Sequence, residues 1–178
     1  QRLAKKYNVS IQTSSGEAGR LPFQDESFDF VFGNGVLHHV ELESASKEIH
    51  RVLKPGGKAV FVEPLPYNPI INVYRVVAKE VRTEDEKPLT YRELKGFSSK
   101  FSSSYRDDFW LFSLYMFIHF LIIKRWNPNK VRYWKKIIEV GPDFKGLFGF
   151  LQKLDRFFLK FLPFLRPLCW NTVLVVQK

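Results

Sequence analysis

The sequence predicts an α/β fold in which a mostly parallel sheet is flanked by helices. Two short runs of aromatic and β-branched residues, 28–32 and 59–62, are typical of buried strands. Between them, apolar side chains recur at helical spacing over residues 42–53, and the Pro-Gly-Gly sequence at 55–57 ends that helix. A strand, a helix and a second strand, with nearly continuous apolar runs in both strands, indicate a parallel βαβ unit whose sheet is covered on both faces.

Other elements are predicted on both sides of this unit. Residues 1–7 are typical of the end of a helix, and the alternation of apolar residues over 9–13 predicts a further strand. Residues 64–96 contain prolines and a charged stretch, so we interpret them as a surface connection with one helix near 70–81. The β-branched run at 172–176 predicts the last strand.

The composition is that of a folded domain in a reducing compartment. The 178 residues are 45% hydrophobic and 26% charged, which excludes a disordered chain. Cys169 is the single cysteine, which excludes a disulfide framework, and no Cys/His cluster has the spacing of a zinc site. The sequence begins at Gln1 and shows no secretory signal. We therefore expect a cytoplasmic protein, with peripheral attachment to a membrane as an alternative.

Four short motifs follow one another within residues 9–64. They are GEAGRLPF at 16–23, SFD at 27–29, VLHHV at 36–40 and EIHRVLKPGG at 48–57. In this order they resemble the class I S-adenosylmethionine-dependent methyltransferases of the small-molecule type. The resemblance implies a partial Rossmann-like methyltransferase fold and S-adenosyl-L-methionine as the cofactor.

The resemblance also implies a chemistry, the transfer of a methyl group to a small, hydrophobic acceptor by in-line displacement. Such a displacement depends on holding the acceptor and the methyl group in line, so it needs no nucleophilic side chain. A sequence without a catalytic triad is therefore compatible with an enzyme, and the sequence alone names no catalytic residue and no metal site. The alternative function is a catalytically inactive, membrane-associated interaction module that has kept the fold.

Cofactor-binding residues are implied at two places. Glu17 and Ala18 stand where the family has an acidic and a small residue after its third strand, and there the carboxylate accepts a hydrogen bond from the adenine amino group. A solvated carboxylate in a turn is the alternative for Glu17. The segment after the next strand lines the methionine end of the cofactor, where small residues let the backbone come close. It consists of Gly33, Asn34, Gly35 and Val36.

Candidate substrate-binding residues follow the strands of the predicted βαβ unit. Ligands of open parallel sheets bind beyond the carboxyl ends of the strands, which makes these positions candidates. The residues are His38, Glu63, Tyr67 and Asn68. Imidazole is a common general base near neutral pH, but adjacent histidines at a helix start also pack or cap. For the other three residues, stabilisation of the loop is the alternative.

The family begins with a strand, a glycine-rich loop and a second strand, and the sequence shows none of these. Because the strand order of the family is 3-2-1-4-5-7-6, the expected sheet lacks its centre. We expect either an N-terminally incomplete sequence or a protein whose first half is supplied elsewhere, and we do not expect residues 1–178 to bind the cofactor alone. We divide the chain into a partial core over 1–108, a helical hydrophobic and basic insertion over 109–168, and a final core strand over 169–178.

The C-terminal third carries most of the net charge of +10. Residues 120–178 hold 12 of the 28 basic residues and 3 of the 18 acidic ones. The uncharged stretch 109–123 would span about 22 Å as a helix, which is less than the roughly 30 Å of a hydrocarbon core. It is therefore not predicted to cross a membrane.

Residues 147–165 repeat Leu and Phe at helical spacing beside Lys153, Arg156 and Lys160, which predicts a basic amphipathic helix. Two interpretations are open. The helix either belongs to a cap that buries its Phe-rich face on the sheet or over the substrate, or it contacts an anionic membrane surface through which a lipid-like acceptor enters. No nucleic-acid partner is expected, because the aromatic face is continuous and is not interleaved with basic residues.

Overall fold

The computed structural model describes residues 7–78, 80, 86–140 and 144–178. Its strands are β1 (Phe28–Asn34), β2 (Leu53–Pro64), β3 (Ser103–Phe109) and β4 (Asn171–Gln177), and they form one sheet in the order β1-β2-β4-β3. β1 and β2 are parallel, whereas β4 is antiparallel to β2 and to β3. The carboxyl ends of β1, β2 and β3 therefore lie at the same edge of the sheet.

The α-helices of the described residues are α1 (Leu42–Val52), α2 (Pro69–Val77), α3 (Tyr91–Ser98), α4 (Tyr115–Ile118), α5 (Tyr133–Val140) and α6 (Lys145–Phe161). Short 3-10 helices lie at Leu37–His39, Phe112–Leu114 and Pro163–Leu168, and a π-helical turn lies at His119–Ile123. The predicted βαβ unit is confirmed as β1, α1 and β2. Its helix begins where the Glu41 carboxylate accepts hydrogen bonds from two N–H groups of the first turn.

Helices α1 and α3 cover one face of the sheet. Their buried side chains form a single cluster with the inward side chains of β2 and β4; the cluster includes Ala45, Ile49, Leu94, Phe97, Phe61 and Leu174. The hydroxyl of Ser46 in α1 donates to the carbonyl oxygen of Phe97 in α3 at 2.8 Å, which joins the two helices. This cluster is the core beneath the candidate site.

The opposite face of the sheet is only partly covered, and the expectation of a sheet buried on both faces is wrong here. Phe30 and Phe32 of β1 are 56% and 61% exposed. β1 is thus a strand, as predicted, but among the described strands it lies at the edge of the sheet and pairs with β2 alone. Phe32 pairs with Val60, which pairs with Val175 of β4, and Val175 pairs with Tyr105 of β3. Tyr105, at the other end of this row, is also exposed.

The predicted strand at 9–13 is also wrong. Residues 8–16 have no regular secondary structure, and Val9 and Ile11 are exposed. A strand is stabilised by hydrogen bonds to a neighbour, and none of the described strands lies beside this segment. Of the predicted helix end at 1–7, Tyr7 lies in a turn and the rest is outside the described residues.

The connection after β2 contains more structure than was predicted. The helix expected near 70–81 begins as α2 at Pro69, while residues 79 and 81 are outside the described part. Helix α3 and strand β3 were not predicted. The capping box formed by Thr90 and Glu93 marks the start of α3 and was a signal in the sequence.

The segment between β3 and β4 has its own aromatic core, which includes Phe117, Phe120, Tyr133, Leu151 and Trp170. The predicted amphipathic helix is confirmed as α6. The interpretation that this helix buries its Phe-rich face is wrong for Phe150, Phe157 and Phe161, which are exposed. The division of the chain at 108 and 168 stays a prediction.

Among the described residues, none of the helices has both the length and the apolar character that crossing a membrane requires.

Candidate active site

β1 and β2 end side by side, and the residues that follow them begin the candidate site. Asn34 pairs with Val62, and the N–H of Gly35 donates to the carbonyl oxygen of Val62 at 2.8 Å. The chain leaves β1 through Gly35, whose φ of 65° lies in the left-handed region that favours glycine. The predicted cofactor segment 33–36 therefore lies at the carboxyl edge of the sheet, beside the end of β2.

Gly33 is required by packing inside the protein. A Cβ atom at this position would lie 2.6 Å from Cδ1 of Phe61, whose side chain belongs to the core. Such a contact is too short to exist without a shift of the ring. The core alone therefore explains the glycine, and its contact with the cofactor stays a prediction.

Glu63 is a buried carboxylate in β2 that binds three donors. Oε1 accepts hydrogen bonds from the backbone N–H groups of Val36 at 3.0 Å and Leu37 at 2.8 Å, and Oε2 lies 2.6 Å from Nδ1 of His38. Glu63 is 1% exposed, and a carboxylate so far from water must be hydrogen-bonded. It satisfies the first N–H groups of the 3-10 helix Leu37–His39, whose N-cap residue Val36 offers no side-chain acceptor.

Glu63 also orients the His38 ring. With the carboxylate as acceptor, Nδ1 of His38 is the donor of this hydrogen bond, and Nε2 is the ring nitrogen that does not contact Glu63. His38 is 9% exposed, its ring lies 4.1 Å from that of His39, and Nε2 lies 3.9 Å from Oε1 of Glu86. Two residues predicted separately are thus brought together as an imidazole oriented by a buried acid, an arrangement that suits general-base catalysis.

Glu17 and Ala18 lie in a separate tight turn. The N–H of Arg20 donates to the carbonyl oxygen of Glu17 at 2.9 Å and closes the turn. Glu17 is exposed, and no described residue binds its carboxylate, while Ala18 is half-buried against the core cluster of α1. A free acceptor beside a small residue fits the predicted contact with an adenine amino group, which stays a prediction.

Two residues of α1 that were not predicted hold the segment after this turn. The N–H of Leu21 donates to Oε2 of Glu48 at 2.7 Å, and Arg51 donates to the carbonyl oxygens of Leu21 and Phe23. Arg51 also pairs with Glu48 and Asp25, each at 2.6 Å, and its hydrogen bond holds the pKa of the Glu48 carboxyl below its ordinary value. Both residues belong to the motif at 48–57, and their spacing of three on a helix was the available signal.

Asn68 stabilises the loop after β2, which was the alternative to its role in substrate binding. Its Oδ1 accepts hydrogen bonds from two N–H groups in the first turn of α2, at 2.9 and 3.1 Å, and its Nδ2 donates to the carbonyl oxygen of Leu168. Tyr67 is 38% exposed, and its hydroxyl accepts a hydrogen bond from the N–H of Tyr91 at 3.0 Å. Loop stabilisation accounts for Asn68, whereas Tyr67 still presents an accessible ring.

A second polar cluster at the carboxyl end of β3 was not predicted. The hydroxyl of Tyr91 donates to Oδ2 of the buried Asp108 at 3.0 Å, and the guanidinium of Arg106 lies 3.7 Å from the centre of the Tyr91 ring. Burial, followed by the charge of Asp108, raises the pKa of Tyr91 far above its ordinary value. A cavity of about 580 Å³ between the end of β3 and α6 adjoins this cluster, and Asp107 and Arg166 in its wall are paired at 2.7 Å.

Comparison with known families identifies what the first third of the chain is similar to. Residues 1–61 match the family described as a methyltransferase domain. This stretch is similar to the class I S-adenosylmethionine-dependent methyltransferases. This confirms the resemblance drawn from the motifs at 16–57, and the cofactor of the family is the predicted S-adenosylmethionine.

Solved structures confirm the predicted fold of the chain. A crystal structure described as an S-adenosylmethionine-dependent methyltransferase from Thermotoga maritima aligns with 99% of this chain and 68% of its own, with a TM-score of 0.57. The sequence identity is 17%, so the likeness concerns the fold alone.

Curated relatives of the chain match over a limited stretch. A demethylmenaquinone methyltransferase from Chlorobaculum parvum is 42% identical over 82 residues, which is 44% of this chain and 34% of that protein. The mitochondrial 2-methoxy-6-polyprenyl-1,4-benzoquinol methylase of Homo sapiens is 37% identical over 62 residues, which is 34% of this chain and 19% of that protein. The match thus spans about a third or less of the length of these two relatives.

Proposed function

We propose that the full-length methyltransferase transfers a methyl group from S-adenosylmethionine to a small, lipophilic acceptor with a quinone-type ring. The names of the two curated relatives support this acceptor class, because both name a quinone or quinol as the compound acted on. The structural observation that carries the proposal is the buried pair of Glu63 and His38, which lies at the carboxyl edge of the sheet, next to segment 33–36.

We assign the binding of the cofactor to the turn at Glu17 and to segment 33–36. Glu17 offers an exposed carboxylate to the adenine amino group, and Ala18 beside it leaves space. The methionine end would be lined by Gly33, Asn34, Gly35 and Val36. When bound, S-adenosylmethionine supplies an electrophilic methyl group. The contribution of the chain is to hold the acceptor in line with that group, which can account for much of the acceleration.

We propose that His38 accepts the proton that the acceptor loses. When the acceptor forms its bond to the methyl group it must lose a proton, and Nε2 of His38 has the lone pair that can take it. The Glu63 carboxylate would then stabilise the imidazolium through the hydrogen on Nδ1. Tyr67, which follows β2 and keeps an accessible ring, is assigned to contact with the acceptor.

Calorimetry with S-adenosylhomocysteine on the full-length protein tests the cofactor part of the proposal. We expect binding, and we expect Glu17→Ala to weaken it by about 1–3 kcal/mol, because the adenine donor loses its acceptor. Ser15→Ala, a change in the same exposed segment, is the matched control and should bind as the wild type does. Absence of any heat at millimolar ligand would overturn the enzyme assignment.

Methyl transfer to a short-chain demethylquinol tests the acceptor and the base. We expect His38→Ala to lower kcat by about 100-fold or more, with the affinity for S-adenosylhomocysteine retained. Glu63→Gln should lower kcat and alter its pH profile, because the amide no longer fixes the hydrogen on Nδ1. Full kcat in His38→Ala would show that another group takes the proton. Transfer to a small polar amine but not to the quinol would refute the acceptor class.

A lipophilic acceptor partitions into a membrane, and we propose that the protein binds the membrane surface as a peripheral protein. The other function considered, an inactive module that keeps the fold, has no support among the relatives, which are named as methyltransferases. Methyl transfer by the full-length protein would exclude that module directly.

A further inference from the structure

Helix α6 buries one of its faces. This face consists of Leu151, Asp155 and Leu159, which recur at every fourth position. Asp155 accepts hydrogen bonds from the N–H of Phe112 at 2.5 Å and from the hydroxyl of Ser113 at 2.7 Å, so it anchors the helix to the segment after β3. It is the single acidic residue of α6, and it is buried.

A second face of α6 is aromatic and exposed. At about 100° per residue, Phe150, Phe157 and Phe161 fall within about 40° of one another. They are 57%, 58% and 60% exposed, and Phe164 in the following 3-10 helix is 71% exposed. We call these four residues the aromatic stripe. Isolated exposed apolar residues are common, but three aligned phenylalanines followed by a fourth exposed one mark an interaction surface.

The third face of α6 is basic. Lys153, Arg156 and Lys160 are exposed and fall within about 60° of one another, on the side of the aromatic stripe away from the buried face. Nζ of Lys160 lies 5.6 Å from the centre of the Phe161 ring, so the two faces adjoin. Cationic and aromatic side chains therefore lie side by side along the helix.

A second segment with the same combination lies beside the start of α6. Leu121, Ile122 and Ile123 are 48%, 65% and 59% exposed, and two exposed basic residues follow them. Nζ of the first, Lys124, lies 5.9 Å from the centre of the Phe144 ring, which immediately precedes α6. The apolar and basic surface thus extends beyond the helix itself.

We infer that the aromatic stripe and the basic face of α6 are the surface by which the protein lies on an anionic lipid bilayer. An interfacial helix inserts aromatic and aliphatic side chains between the lipids and keeps Lys and Arg at the negative headgroups. Positive charge beside the stripe, with no exposed acid on the helix, favours anionic lipid. The inference deepens the proposed function, since its purpose rests on a lipophilic acceptor, but the binding itself requires no methyl transfer.

Flotation of the full-length protein with phosphatidylcholine vesicles, with and without phosphatidylglycerol, tests the inference. We expect recovery with the anionic vesicles that decreases as salt is raised, because screening weakens the headgroup contacts. Phe157→Ser combined with Phe161→Ser should lower the partition coefficient about tenfold or more. Both side chains are exposed, so the variant should keep the melting temperature of the wild type, which differential scanning calorimetry checks.

Val73→Ser combined with Val76→Ser is the matched control. It also replaces two exposed apolar side chains by serine, at 64% and 63% exposure, but on α2. We expect it to float as the wild type does. The inference is overturned if the control loses flotation and the stripe variant does not, if the wild type stays in the soluble fraction with anionic vesicles at low salt, or if sedimentation shows that the stripe joins two copies of the chain instead.

The two proposals fail separately. Loss of flotation in the stripe variant with unchanged affinity for S-adenosylhomocysteine supports the membrane surface. Flotation that depends on the stripe in a protein that binds no S-adenosylhomocysteine would refute the proposed function and leave the membrane surface standing.

Discussion

The backbone N–H of Leu21 donates a hydrogen bond of 2.7 Å to Oε2 of Glu48, 27 residues later in the sequence. This bond ties the segment after the Glu17 turn to helix α1. Because Arg51 holds the same segment through two of its carbonyl oxygens, the turn depends on a pair of residues one helical turn apart. The position of the Glu17 turn therefore depends on two charged residues of α1.

Glu48→Ala should lower the free energy of unfolding by about 1–3 kcal/mol, because it leaves the Leu21 N–H and the Arg51 guanidinium without their carboxylate. Urea unfolding followed by circular dichroism measures the loss. Glu43→Ala is the matched control on the same helix, since Glu43 is exposed and pairs with Lys47 at the surface. A loss in Glu43→Ala as large as that in Glu48→Ala would contradict the anchoring role.

The stabilisation by Glu48 should disappear in acid. Arg51 lowers the pKa of the Glu48 carboxyl below the ordinary 4.5. The ionised group therefore stabilises the fold fully above that pH, and its contribution is lost as the pH falls through the lowered value. Melting temperatures of the wild type and of Glu48→Gln, measured from neutral to acid pH, should differ at neutral pH and converge as the pH falls through the lowered pKa of Glu48. A constant difference would exclude the carboxylate as the source.

Gly33→Ala should destabilise the protein by about 1–3 kcal/mol, because the new methyl group meets the Phe61 ring in a filled core. Adding Phe61→Leu should make the combined loss smaller than the sum of the two single losses. The control is Gly35→Ala, where the backbone conformation and not the space is restrictive. The loss in the free energy of unfolding caused by Gly35→Ala should add to the loss caused by Phe61→Leu. If Phe61→Leu reduced the loss in both alanine variants, a local clash at Gly33 would be contradicted.

Cys169 should react with maleimides only when the protein opens. It is fully buried beside Trp170, and burial, followed by the charge of Asp108, raises the pKa of its thiol to about 12. The thiolate is the reactive form, so labelling at neutral pH should be slow in the native protein and fast in urea. The sequence has no other cysteine, which makes the signal unambiguous. Rapid labelling of the native protein would show that this part of the core is open.

The sequence predicted the elements whose burial leaves a clear pattern. α1 places Ala45, Ile49 and Val52 inside at helical spacing, and β4 alternates buried and half-buried side chains. β3 was missed because it lies at the edge of the sheet and buries only Asp108 of its seven residues. A strand that is mostly exposed carries no apolar period, so its place is decided by hydrogen bonds to β4.

The sequence predicted individual residues of the candidate site, but not which of them contact one another. Glu63 and His38 were both named, yet their pairing depends on the parallel register of β1 and β2, which sets Asn34 beside Val62. A single sequence carries no information on that register. Asn68 was predicted as a substrate-binding residue because it follows β2. The structure shows it as the N-cap of α2, and an Asn directly before the first helical residue, Pro69, was the signal for this role in the sequence.

The position of β4 has a consequence for how the protein is made. β4 separates β2 from β3, so the third strand has no neighbour in the sheet until the fourth has been synthesised. Lys58 and Ser103 both pair with Gln177, across more than a hundred and more than seventy residues respectively. Contacts so distant along the chain close slowly. While residues 110–170 are being translated, the backbone groups of β3 therefore lack the strand with which they pair in the folded protein.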